Sequence, residues 1–158
     1  MKKRVSAIPK GYRSVTPTLI VNGLLSALEF YEKAFAAEVI NVKYNQAAYA
    51  PIHAEIKIGN SNIKLFEQNP NLGLLAPTGE PSPITLQIYS ENIQQSWQNS
   101  LDAGSRVLLA MDAQYWGELF GVLMDPFGHT WVLSEKTENL KPAELEAREA
   151  KLFDNTGL

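Results

Sequence analysis

The chain has 158 residues, 45% of them apolar, with no cysteine and a formal charge of −3 from 14 Lys and Arg against 17 Asp and Glu. That is enough for one sizeable core, or for two half-size modules sharing one, and it excludes disulfides, thiolate nucleophiles and zinc–thiolate centres. The charges are dispersed, so there is no basic footprint for nucleic acid; the basic opening MKKRVSAIPKGYR lacks the apolar stretch of a secretory signal, and no run is long enough to cross a bilayer, so a soluble, cytoplasmic protein is expected.

In chain order, VTPTLIV (15–21) alternates and is β-branched, which predicts a strand with Val15, Pro17, Leu19 and Val21 on one face and Thr16, Thr18 and Ile20 on the other. Leu24, Leu28, Tyr31 and Phe35 then follow the spacing of an amphipathic helix. EVINVKY (38–44) is a second strand. IHAEIKIG is a third, with Ile52, Ala54, Ile56 and Ile58 opposite His53, Glu55 and Lys57, and a GNSN turn leads into IKLFEQ, where Lys64 and Phe66 share a face. The sequence from 15 to 68 thus reads βαβββ.

Residues 68–83 contain four prolines and two glycines without a period, so a connector or lid is expected there. The pattern then restarts. ITLQIYS is a strand, with Thr85, Gln87 and Tyr89 opposite Ile84, Leu86 and Ile88; Ser90, Glu91 or Asn92 caps a helix carrying Ile93, Trp97 and Leu101 that Gly104 ends. RVLLAM, LFGVLM and HTWVLSEK are three further strands, the last two joined by a DPFG turn, and KPAELEAREAKLF is a terminal helix with a thin stripe of Leu145 and Leu152, suited to docking on this subunit or a neighbour. Thr16 and Thr85 stand 69 residues apart and Lys64 and Val132 stand 68 apart, which argues for internal duplication. A single domain over 1–158 is expected: module one at about 12–67, connector 68–83, module two 84–136 and a helix at about 141–153.

The stretches IPKGYRSVTPTLIVNGLLSALEFYEKAFAAEVI, IHAEIKIGNS and QYWGELFGVLMDPFGHTWVLSEK resemble the PhnB-like branch of the vicinal oxygen chelate superfamily, which includes glyoxalase I, extradiol dioxygenases and bleomycin-resistance proteins. The resemblance covers roughly residues 8–150. It implies an α+β fold in which two βαβββ modules form an eight-stranded open cup, and a homodimer whose cups are completed within one chain or between two. Enzymatic members hold one divalent cation with ligands from the first and last strands of each module. Carried over position by position, those ligands fall on Thr16, Lys64, Thr85 and Val132. None is a normal ligand for a catalytic dication, and Lys64 brings positive charge to the spot the cation would fill, so no metal or other cofactor is expected.

His129 stands three residues before the last of these positions, on the opposite face from Val132, and is expected to punctuate the hairpin or pack near Trp131. The faces opposite the apolar ones then line the cup: Thr16, Thr18, His53, Glu55, Lys64, Phe66, Thr85, Gln87, Tyr89, Thr130 and Val132, with Tyr115 and Trp116 at the rim, placed there by the resemblance, able to stack on a planar ligand or to pack in the core. Gly117 and Gly121 allow a bend or a close approach, and Asp112 and Glu118 read as solvated. Two readings of His53 and Glu55 stay open. They supply a catalytic base and its orienting partner, or Glu55 forms a cross-strand ion pair with Lys64 while His53 fills the wall. The corresponding functions are a metal-free small-molecule-binding protein acting by sequestration or sensing, and a lyase, isomerase or dioxygenase using His53 and Glu55; a purely structural interaction module is the third.

Overall fold

The computed structural model describes residues 5–156, and the MKKR of the basic opening lies outside the described residues. Twelve residues with an apolar stripe form helix α1 (Leu24–Phe35), whose Leu24, Ala27, Leu28, Phe30, Tyr31, Ala34 and Phe35 are buried. It follows strand β1 (Thr18–Val21) and precedes β2 (Glu38–Asn45), β3 (Ala50–Ile58) and β4 (Ser61–Glu67). The second module repeats this order in β5 (Thr85–Tyr89), α2 (Ile93–Asp102), β6 (Arg106–Ala113), β7 (Glu118–Met124) and β8 (Thr130–Lys136), and α3 (Pro142–Thr156) ends the described chain. The two sheets run β1-β4-β3-β2 and β5-β8-β7-β6, each with its first and last strands parallel and the other pairs antiparallel. Identical strand order in both halves is the structural signature of the duplication.

Alternation decides which side of each sheet meets its helix. Leu19, Val21, Ala54, Ile56, Ile63 and Leu65 of module one are buried, as are Leu123, Trp131 and Leu133 of module two, and all belong to a single apolar cluster with α1 and Ile93. The helical sides of the modules therefore meet, and α1 packs on α2. The strands of one sheet do not pair with those of the other.

Several local features reflect single residues. β1 begins at Thr18 rather than Val15 because Pro17 has no N–H for the ladder; its carbonyl still accepts from Lys64 N at 3.0 Å. Val15 is consequently 84% exposed instead of joining the core. The start of α1 is capped from a distance: the Glu67 carboxylate accepts from Gly23 N at 3.0 Å and Leu24 N at 2.6 Å, placing negative charge where the helix presents free N–H groups. At its other end Ala36 adopts φ 51°, a left-handed conformation that favours glycine.

The DPFG turn proves to be the joint between the modules. Asp125, 1% exposed, accepts four hydrogen bonds: at Oδ1 from Phe127 N and His129 N, both 2.9 Å, and at Oδ2 from Tyr31 Oη at 2.7 Å and Trp131 Nε1 at 2.8 Å. His129 closes the hairpin as expected, and its ring does more: Nε2 lies 2.9 Å from the Ile20 carbonyl oxygen of β1, so with the proton on Nε2 it donates across to module one. Phe127 adds ring contacts to Phe30 and Tyr31 at 6.0 and 6.2 Å between centroids. The connector, 68–83, also reaches this hairpin. Pro77 lies against Gly128, and the Ser82 carbonyl accepts from Thr130 Oγ1 at 3.5 Å, so the segment runs along this same hairpin.

Candidate functional site

The sides of the two sheets that face away from the helices carry the polar and aromatic residues. On sheet one, register sets Lys43, His53, Phe66 and Ile20 in one row across the strands, and Asn41, Glu55, Lys64 and Thr18 in the next. His53 is 8% exposed, with its ring 4.6 Å from that of Phe66. Burial first, then the ammonium groups of Lys43 and Lys64, push its pKa below that of a free imidazole, against an opposing pull from Glu55. The imidazole is thus kept neutral in a cationic neighbourhood.

Glu55 and Lys64 are direct cross-strand partners, yet the expected ion pair does not form: the salt bridge found among the described residues is Arg148–Glu138, at 2.6 Å. Instead the Lys64 ammonium lies 5.3 Å from the centroid of the Tyr12 ring. Tyr12 arrives on the segment before β1, which a turn at Pro9–Tyr12 and the Thr16 Oγ1 to Arg13 carbonyl bond hold compact. Thr16 is therefore a turn residue outside β1, and Thr18 is the residue in register with Lys64.

On sheet two the rows are Tyr89, Ser134, Phe120 and Asp112; Gln87, Val132, Val122 and Leu109; and Thr85, Thr130, Met124 and Arg106. Gln87 Nε2 donates to Ser134 Oγ at 2.9 Å. Glu118, far from being merely solvated, accepts from Tyr89 Oη at 3.2 Å and from Trp116 Nε1 at 3.1 Å. Tyr115, Trp116 and Phe120 form a chain of edge-to-face rings, with centroids 5.1 and 5.5 Å apart, at the end of this face. α3 is tied there by Arg148, which donates to the Tyr115 carbonyl at 3.3 Å as well as to Glu138. Gly117 turns with φ 85°, and Gly121 lets α2 approach: a Cβ there would stand 2.7 Å from Trp97. Trp131 is core, on the helical side.

A match to a family model settles the ancestry of this arrangement: residues 13–133 fit the glyoxalase/bleomycin resistance protein/dioxygenase superfamily. The chain belongs to that superfamily. The uncharacterized protein Mb0911c of Mycobacterium bovis is 31% identical over 139 residues, 85% of this chain and 90% of its own length. Among solved structures, the Arabidopsis thaliana At5g48480 gene product shares the fold at TM-score 0.62 and 21% identity, covering 78% of this chain and 99% of that one. A PhnB protein from Bacillus cereus does so at TM-score 0.59 and 17% identity, covering 78% and 99%.

For a member of this superfamily the donor chemistry at the paired first and last strands decides whether a dication fits. The positions carried over from the family are Thr16, Lys64, Thr85 and Val132, and in strand register Lys64 faces Thr18 and Val132 faces Gln87. None of these side chains is a carboxylate or an imidazole, the usual protein ligands of a catalytic dication. Among the described residues no three His, Asp or Glu side chains gather closely enough to hold a metal ion. A groove of ≈ 670 Å³ lies between α1 and α2 beside Phe30, Lys33 and Phe127, on the helical side and away from both faces.

Chemically, the structure brings His53, Glu55, Lys64, Phe66 and Thr18 together on one face and Thr85, Gln87, Tyr89, Val132 and Trp116 on the other. Tyr12, Lys43 and Glu118 complete these clusters and were missed from sequence. Lys43 follows the alternation of β2 and was open to the same face-by-face reading; nothing local marks Tyr12.

Proposed function

We propose that this protein is a metal-free binder of an organic small molecule, of the PhnB-like branch, acting by sequestration or sensing in the cytoplasm. The observation that carries the reading is the donor set at the positions carried over from the family: Thr16, Lys64, Thr85 and Val132, with Thr18 and Gln87 in register beside them, offer no anionic or imidazole ligand. The residues around them are those of a small-molecule site, aromatic surface with a few directed polar groups. Both faces stand open in one chain. Tyr89 is 60% exposed, and the edge strand β6 leaves Leu109 50% exposed. A homodimer that sets the module-two face of one copy against the module-one face of the other closes two cups and covers this apolar surface.

Native mass spectrometry of freshly purified protein, with elemental analysis, tests the reading. The expected result is a dimer with no stoichiometric transition metal and a melting temperature indifferent to chelator. One Zn, Mn, Ni or Fe per chain whose removal lowers that temperature refutes it.

A second reading has its own support. His53 is held neutral, and Glu55 follows two residues later on the same face, an arrangement able to move a proton in a lyase, isomerase or dioxygenase reaction. A well-placed acid or base contributes roughly 10²- to 10⁴-fold in rate. Glu55→Gln should then abolish whatever turnover a substrate panel reveals, and unchanged turnover removes this reading.

A further inference from the structure

Three hydrogen-bond donors, the Tyr12 hydroxyl and the Lys43 and Lys64 ammonium groups, stand on or beside the module-one face. The Tyr12 hydroxyl is shielded from solvent and meets no acceptor at good hydrogen-bond geometry, while burial and the neighbouring Glu55 carboxylate raise its pKa and the Asn62 amide also lies beside it. Lys64 meets only the face of the Tyr12 ring, and neither it nor Lys43 takes part in an ion pair among the described residues. Buried phenols almost always find a partner, so this one calls for an explanation, and the ammonium groups of exposed Lys43 and half-buried Lys64 are free to meet an anion.

The backbone holds these groups where they are. Gly11, at φ 87°, runs so close to β4 that a Cβ would stand 3.0 Å from the Asn62 amide, and the Pro17 carbonyl bonds to Lys64 N at 3.0 Å. The segment carrying Tyr12 is thus pinned to β4 at both ends of the Asn62–Lys64 stretch. Lys43 lies beside His53 and Lys64 beside Glu55, in adjacent rows and two strands apart, so their Cα atoms are separated by roughly 12 Å, within reach of one ligand group for two long side chains. The rings of Phe66 and His53, 4.6 Å apart and tilted at 51°, provide an aromatic surface next to them.

We propose that the module-one face selects an organic acid with a planar apolar body, its anionic group received by Lys64, Lys43 and the Tyr12 hydroxyl and its body laid against Phe66 and His53. Tyr12 is then a ligand-binding residue and the segment from Pro9 to Pro17 part of the site. The assignment rests on the small-molecule reading above and narrows it to a chemical class. A carboxylate supplies a well-aligned acceptor for the phenol and a counter-charge for both lysines, an attraction that the nearby Glu55 carboxylate reduces, whereas a neutral amide of the same shape satisfies only the phenol.

The test is titration of ¹⁵N-labelled full-length protein with benzoate and, separately, benzamide, following backbone amide shifts. Benzoate should saturate amides in 53–57 and 62–66 and bind at least ~10-fold more tightly than benzamide, as expected when a charge-assisted contact replaces a neutral one. Tyr12→Phe and Lys64→Met, each checked for wild-type spectral dispersion, should each weaken benzoate ~10-fold or more. The proposal is overturned if the two probes bind equally, if neither shifts these amides, or if both variants bind benzoate as the wild type does. Equal saturable binding of both probes removes the anion selectivity and leaves the small-molecule reading standing, whereas a stoichiometric metal in the native mass spectrum removes that reading itself.

Discussion

Replacing Asp125 with Asn probes the joint between the modules at a single atom. The carboxylate accepts two backbone N–H groups at Oδ1 and the Tyr31 hydroxyl and Trp131 indole at Oδ2. An asparagine oxygen turned towards the hairpin leaves its NH₂ facing two donors. The Tyr31 hydroxyl can rotate to accept, but the indole N–H cannot, and it is left buried and unpaired; an orphaned donor costs roughly 1–3 kcal/mol, and the two surviving backbone bonds lose their charge assistance. A loss of about 3 kcal/mol follows, which for a chain of this size is a fall of roughly 6–12 °C in melting temperature. Urea titration of the wild type, Asp125→Asn, Tyr31→Phe and the double variant measures both the loss and the Tyr31–Asp125 coupling, expected at about 1 kcal/mol or more because the two groups share one bond. A loss below ~1 kcal/mol with no coupling would refute the claim that this carboxylate ties α1 to module two.

Three further outcomes are expected. Ala36→Gly relieves a left-handed alanine at φ 51° and should raise the melting temperature by roughly 2–4 °C, from a gain of about 1 kcal/mol; no rise in a calorimetric scan counts against strain at this cap. Gly121→Ala puts a methyl 2.7 Å from Trp97 and 2.9 Å from the Met111 backbone and should destabilise by about 1–3 kcal/mol in chemical denaturation, whereas a neutral result means that α2 is free to shift. For His53 the folded state favours the neutral ring, so its contribution is complete above the unfolded value of 6.5 and is lost as pH falls through the lower folded value. Melting temperature followed from pH 7.5 downwards should drop less steeply in His53→Gln than in the wild type, and the opposite ordering sinks the assignment.

Periodicity made most of the architecture legible. The stripe Leu24–Leu28–Tyr31–Phe35, the alternation of 54–58 and the 69- and 68-residue offsets are one-dimensional patterns, and the helices, strands and paired modules followed them. So did the face of the sheet on which His53, Glu55, Lys64 and Phe66 stand, since a strand side is set by parity alone. Where a conclusion needed the register between strands, reading along the chain was less reliable. Lys64 stands in register with Thr18 and Val132 with Gln87, pairings that no spacing along the chain specifies.

The sequence by itself determined that two copies of one supersecondary unit would share a core and that the ancestral ligand positions would carry poor donors, because side-chain type and spacing are enough for both. Tertiary structure alone decided which groups meet. Glu67 caps a helix 43 residues away, His129 reaches Ile20 across 109, and Tyr12 rather than Glu55 lies against Lys64. Contacts of that kind are specified by how sheets, turns and helices dock in space, and no local spacing encodes them.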